Sequence, residues 1–126
     1  MVDIRVLIVE DDPFIAMDIE TAVADELGDG VELIVVESVA EARRMTGQRL
    51  DCALLDINVV DGETFEVARV LQDTGTPFAF VSGSAPHDVP APLRGARFLR
   101  KPFSTREVAA FVTSAVGLAA PKAAPG

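Results

Sequence analysis

The sequence predicts an α/β fold: one parallel five-stranded sheet, doubly wound, with helices packed on both of its faces. Three observations carry that prediction. Short β-branched runs alternate with helical patterns along the chain, and such alternation implies parallel pairing through right-handed crossovers. The strand segments are apolar at successive positions, which is the pattern of strands covered on both faces. The chain has 126 residues, 49% of them apolar, enough for one core and too few for a second domain of ordinary size.

Ile4 to Val9 reads as the first strand. Asp12 can cap the helix that follows, and Pro13 suits its first turn. Ile15, Ile19, Val23 and Leu27 recur every four residues as one buried stripe. Gly28-Asp29-Gly30 ends that helix, and Leu33 to Val36 reads as the second strand. Ser38 with Glu41 predicts a capping box for a second helix. Cys52 to Leu55 is the third strand, ending at Asp56. Gly62 to about Asp73 reads as a third helix with Val67, Val70 and Leu71 inward. Phe78 to Val81 is the fourth strand and Ala96 to Arg100 the fifth. Ser104 and Glu107 predict a second capping box, and Val108, Phe111, Val112 and Ala115 the inner stripe of the last helix. Between the last two strands, Pro86, Pro90 and Pro92 oppose a regular helix, so a fourth helix there is expected to be short or replaced by a loop. The domain is expected to span residues 1–118, with a flexible tail over 119–126.

Composition excludes several classes of function. Twenty acids against 11 bases give a net charge of −9, the wrong sign for a duplex binder. Trp and Tyr are absent, so no stacking platform for single strands is evident. One Cys and one His rule out an internal disulfide and a zinc-type ligand set. No secretory signal opens the sequence and no apolar run approaches ~18 residues, so a soluble cytoplasmic protein without nucleic-acid or membrane partners is expected.

Open parallel sheets bind ligands at the carboxyl ends of their strands. The first strand ends in Glu10-Asp11-Asp12, the third in Asp56, the fourth in Ser82-Gly83 and the fifth in Lys101-Pro102. Crowded carboxylates resist ionising unless a cation joins them. Mg²⁺ takes oxygen ligands and accepts phosphate as a further one. A carboxylate can also attack phosphorus to give an aspartyl phosphate, with metal and Lys101 stabilising the transferring group.

Taken in order, Val6-Leu7-Ile8-Val9-Glu10-Asp11-Asp12, Leu54-Leu55-Asp56-Ile57-Asn58, Asp61-Gly62, Ser82-Gly83 and Lys101-Pro102-Phe103 resemble the receiver domain of bacterial two-component response regulators. The resemblance spans about residues 3–118. It implies a flavodoxin-like (βα)5 sheet of order 2-1-3-4-5 and a signalling domain that catalyses only its own phosphorylation and dephosphorylation. It implies that Asp56 accepts a phosphoryl group from a histidine kinase or histidine phosphotransfer protein. Asp11 would bind Mg²⁺ directly, Glu10 mainly through water, and Asn58 through its backbone carbonyl; Asp12 is then chiefly a helix cap. Ser82 would contact the phosphoryl group, Lys101 would pair with it, and Phe98 matches an aromatic that rotates inward on activation. After Asp56 the segment is two residues shorter than in common receivers and lacks their proline. With Phe78-Ala79-Phe80-Val81-Ser82-Gly83 this resembles a stand-alone subclass with a Phe-Ala-Thr-Gly signature. Signalling would then leave by protein contact or by onward phosphotransfer. A phosphorylation-independent adaptor and a phosphate sink are the alternatives; a dehalogenase-type phosphatase would need an acid where Asn58 stands.

Other features have plainer readings. Asp56 to Val67 superficially matches a calcium loop, but its Gly is one place late and no Glu closes it. Cys52 reads as core and His87 as a solvated side chain.

Overall fold

The computed structural model describes residues 4–83 and 88–117. Five parallel strands form the main sheet: β1 (Ile4–Val9), β2 (Val31–Val36), β3 (Cys52–Leu55), β6 (Phe78–Ser82) and β7 (Arg97–Arg100). Their order is β2-β1-β3-β6-β7, the expected 2-1-3-4-5 of the long strands. A two-stranded antiparallel hairpin, β4 (Asn58–Val59) and β5 (Gly62–Glu63), follows β3. The helices are α1 (Pro13–Leu27), α2 (Val39–Met45), α3 (Phe65–Asp73) and α4 (Thr105–Ala115).

Successive strand residues feed two cores. On one face Val6, Ile8, Cys52, Leu54, Ala79 and Val81 pack with Ile19 and Val23 of α1 and Val108 and Val112 of α4. On the other, Leu7, Val9, Leu55 and Phe80 pack with Ala42 of α2, Val67 and Leu71 of α3, and Val89 and Leu93. Covering both faces removes the need for alternating polarity along each strand. No helix among the described residues is long and apolar enough to cross a membrane.

Local signals are realised with some differences. Asp12 Oδ1 accepts from the Phe14 and Ile15 amides, and Pro13 opens α1. Gly28, at φ +75°, ends that helix in a conformation that disfavours a side chain. Ser104 and Glu107 form a complete capping box. At α2 the box is incomplete: Ser38 Oγ accepts from the Glu41 amide, but Glu41 Oε1 takes the amide of Glu37 rather than that of Ser38. The third helix starts at Phe65, not Gly62, because the hairpin claims Gly62 and Glu63. The inner stripe also differs by one position: Val67, Ala68 and Leu71 are buried, whereas Val70 is 36% exposed. Between β6 and β7 the described residues include a 3-10 turn, Ala91–Leu93, and no α-helix. Prolines at 90 and 92 remove helix donors, while Val89 and Leu93 still plug the core. His87 and the tail over 119–126 lie outside the described residues.

Candidate functional site

The carboxyl ends of β1, β3, β6 and β7 bring the acidic, hydroxyl and amine residues to one edge of the sheet. Register explains the convergence. Val9 pairs with Leu55, and the next residue on each strand is an acid, Glu10 and Asp56. The Asp56 amide donates to the Val9 carbonyl at 2.9 Å, which extends the ladder one step past β3. Ser82 pairs with Arg100, and the Lys101 amide donates to the Ser82 carbonyl at 2.9 Å.

Glu10, Asp11 and Asp56 each offer a carboxylate oxygen within 4.8 Å of the others. Glu10 and Asp56 are buried; Asp11 is half-buried. Lys101 Nζ lies 3.0 Å from Glu10 Oε1 and 3.3 Å from Asp56 Oδ2. Glu10 Oε2 also accepts from the Asp12 amide at 3.1 Å. Burial pushes the Glu10 carboxyl up to about 7, against the opposing pull of the Lys101 and Asp12 hydrogen bonds. The Lys101 ammonium is held above its ordinary value: its two carboxylate neighbours outweigh the desolvation that opposes them.

This donor set fits a hard divalent cation. It offers only oxygen, at a spacing one ion can bridge, and one ammonium cannot neutralise three carboxylates. A softer metal would find neither thiol nor imidazole there: Cys52 sits in the core, its thiol pushed up to about 12 chiefly by burial.

The remaining expected residues fall into place unevenly. Ser82 is buried at the end of β6. Asn58 opens β4 two residues beyond Asp56, with its side chain exposed. Asp12 is exposed and caps α1. Phe98 is half-buried on β7, its ring 6.4 Å from that of Phe80. A cavity of about 20 Å³ adjoins it, lined also by Val89, Leu93, Arg94 and Ala96. That volume holds roughly one water, so a phenyl ring could enter only if the 88–96 segment yielded.

Two residues at the site have functions that sequence reasoning did not assign. Thr64 is fully buried and its hydroxyl donates to the Asp56 carbonyl at 2.6 Å. A Thr before an amphipathic helix signals an N-cap, but this one makes no side-chain cap bond and turns back to the Asp56 carbonyl instead. Asp61 sits at the hairpin tip and accepts from the Val39 and Ala40 amides at 2.6 and 3.1 Å. No local pattern encodes a contact across more than twenty residues. Phe14, on the first turn of α1, is 77% exposed.

No family model matches this sequence, and no curated protein matches it. Solved structures do. SdrG from Sphingomonas melonis is 32% identical, with a TM-score of 0.72 over 90% of this chain and 97% of its own. A CheY-like response regulator receiver domain protein from Methanospirillum hungatei is 24% identical, with a TM-score of 0.75 over 92% of this chain and 95% of its own. The receiver domain of the Pseudomonas aeruginosa sensor histidine kinase PA1611 was solved with magnesium coordinated in its active-site cleft. It is 20% identical, with a TM-score of 0.75 over 91% of this chain and 98% of its own. Sharing the receiver fold over this extent, and 32% identity across nearly all of one solved relative, the chain belongs to the receiver-domain family of response regulators.

Proposed function

We propose that this receiver accepts a phosphoryl group on Asp56 from a phosphorylated histidine of a kinase or phosphotransfer protein, with Mg²⁺, in the cytoplasm. It then signals by protein contact. The observation that carries this reading is the meeting of Glu10, Asp11 and Asp56, with Lys101 bonded to Glu10 and Asp56, at one sheet edge. Phe80-Val81-Ser82-Gly83 and the 3-10 turn in place of a fourth long helix support the Phe-Ala-Thr-Gly subclass.

A carboxylate oxygen of Asp56 attacks phosphorus; the phosphorus–nitrogen bond of the donor breaks, and the imidazole leaves with a proton from solvent. Glu10, Asp11 and Asp56, with the Asn58 carbonyl, would hold the ion. When bound, Mg²⁺ neutralises the carboxylates and draws charge from the phosphoryl oxygens. Lys101, already beside Asp56, meets the growing charge on one phosphoryl oxygen, and the Ser82 hydroxyl donates to another. Burial of Glu10 and Asp56 strengthens these interactions by excluding water.

A protein donor fits the surface beside the site. Phe14 and Met17, 77% and 59% exposed, stand on the first turns of α1, directly after Asp11 and Asp12. Large exposed apolar side chains beside a charged site mark contact surfaces.

The test is transfer of label from an autophosphorylated histidine kinase to wild type, with Mg²⁺ and with a chelator. Transfer that depends on Mg²⁺ is expected. Full transfer in the chelator would remove the metal from the reading, and no transfer from any donor would remove the acceptor.

A further inference from the structure

The segment from Asp56 to Thr64 must present one carboxylate and one backbone carbonyl in a fixed relation, yet it is a short connection at a protein surface. Its hydrogen bonds show how it is held. The Thr64 hydroxyl donates to the Asp56 carbonyl at 2.6 Å, and the Thr64 amide donates to the Ile57 carbonyl at 2.9 Å. Asn58 pairs with Glu63, and Val59 with Gly62. The loop is therefore closed at its base by Thr64, a residue with no exposed surface.

The hairpin tip is anchored as well. Val60 at the tip is 71% exposed, so packing does not fix it. Asp61 beside it accepts the amides of Val39 and Ala40, the first two residues of α2. Those donors have no partner within the helix, and Ser38 Oγ takes the next one, Glu41. Hydrogen bonding to these amides, Val39 foremost, holds the Asp61 carboxyl below its ordinary value.

We propose that Thr64 and Asp61 are positioning residues for the Asp56 site: they clamp residues 56–58 at both ends of the hairpin, so that the Asp56 carboxylate and Asn58 carbonyl are presented together. This inference rests on the reading of Asp56 as a Mg²⁺-assisted phosphoacceptor. Neither residue touches the reacting atoms. Both act through the backbone, whose carbonyl Thr64 holds and whose hairpin Asp61 fixes to α2. Partners that orient metal ligands in this way are worth about ten- to a hundred-fold in metal affinity.

The experiment titrates full-length protein with Mg²⁺ alone, followed by amide chemical shifts. Wild type is compared with Thr64→Val, Thr64→Ser and Asp61→Ala, each also melted thermally. Valine keeps the shape of threonine and loses the hydroxyl; serine keeps the hydroxyl. Thr64→Val is expected to weaken Mg²⁺ binding about ten-fold, as loss of a ligand-orienting partner does, and Thr64→Ser to restore most of it. Half-saturating Mg²⁺ for phosphoryl uptake should rise in parallel, with a smaller fall in the plateau rate. Thr64→Val with a lowered melting temperature and unchanged Mg²⁺ affinity would overturn the proposal. If Thr64→Val does not fold, Asp61→Ala, at an exposed position, decides: weaker Mg²⁺ binding supports the clamp, and wild-type affinity overturns it. Failure of the underlying reading is distinct, because wild type itself would then bind no Mg²⁺.

Discussion

Two connections leave the same sheet edge and are built on different principles. The one after β3, residues 56–64, is short, closed on itself by the bond from Thr64 back to Asp56 and tied by Asp61 across to α2. The one between β6 and β7 is proline-rich, and among its described residues most bonds are local: Leu93 to Pro90, Arg94 to Ala91, Ala96 to Leu93 and Arg94 Nε to Val89. One bond, from Gln72 Nε2 to the Pro92 carbonyl, ties that stretch to α3. It holds position by burying Val89 and Leu93 instead. Hydrogen bonds have strict geometry, whereas apolar burial is non-directional. The difference places bonds that reach another element's backbone after Asp56, and mostly local bonds with apolar packing beside Phe98, where a ring would need its surroundings to move.

The sharpest way to break this comparison is to remove the plug. Leu93→Ala deletes a side chain 1% exposed, and such core truncations cost about 2–5 kcal/mol. Denaturant unfolding should show that loss, while Mg²⁺ affinity stays at the wild-type value because the clamp at 56–64 is untouched. A parallel loss of Mg²⁺ affinity would mean that the two connections are not independent.

The next effect is pH-dependent. Glu10 has its carboxyl raised from 4.5 to about 7 by burial. A raised carboxyl contributes its full stability below 4.5 and loses it as pH rises through about 7, since the unfolded chain ionises first. Glu10→Gln should flatten that decline. Without divalent cations the variant should melt near wild type at low pH and several degrees above it once pH exceeds about 7. Adding Mg²⁺ at high pH should raise wild type more than the variant, because the ion needs the ionised carboxylate. A variant that melts in parallel with wild type at every pH would show that Glu10 carries no such strain.

The smallest effect separates the clamp from its surroundings. The Arg43–Glu66 ion pair also joins α2 to α3, but both side chains are more than half exposed. Arg43→Ala should change stability by no more than ~0.5 kcal/mol and leave Mg²⁺ affinity unchanged. A larger change would mean that the ion pair, and not Asp61 alone, holds α2 in place beside the hairpin.

Much of this was legible in the sequence because it depends on local patterns. Both face coverings and the Asp12 and Ser104 caps follow from residue type and spacing, and the convergence of Glu10, Asp11, Asp56 and Lys101 from what stands at the strand ends, whereas the strand order is what the family resemblance implies. What was not legible depends on backbone pairing over short stretches. The β4–β5 hairpin is two residues on each side, too short for an alternation signal, and it delayed the start of α3. Thr64 and Asp61 act through contacts that exist only once that hairpin forms. The Glu41 carboxylate of the α2 box was diverted by one residue to Glu37, a choice between two nearby amides that spacing cannot separate.

The account's central claim is that Asp56 is the acceptor, and intact-mass spectrometry tests it most directly. Wild type and Asp56→Asn would each be incubated with Mg²⁺ and a phosphorylated donor, acetyl phosphate first and an autophosphorylated histidine kinase second. The account predicts one added phosphoryl group on wild type and none on the variant. Equal addition to both, or none to wild type from either donor, would contradict it.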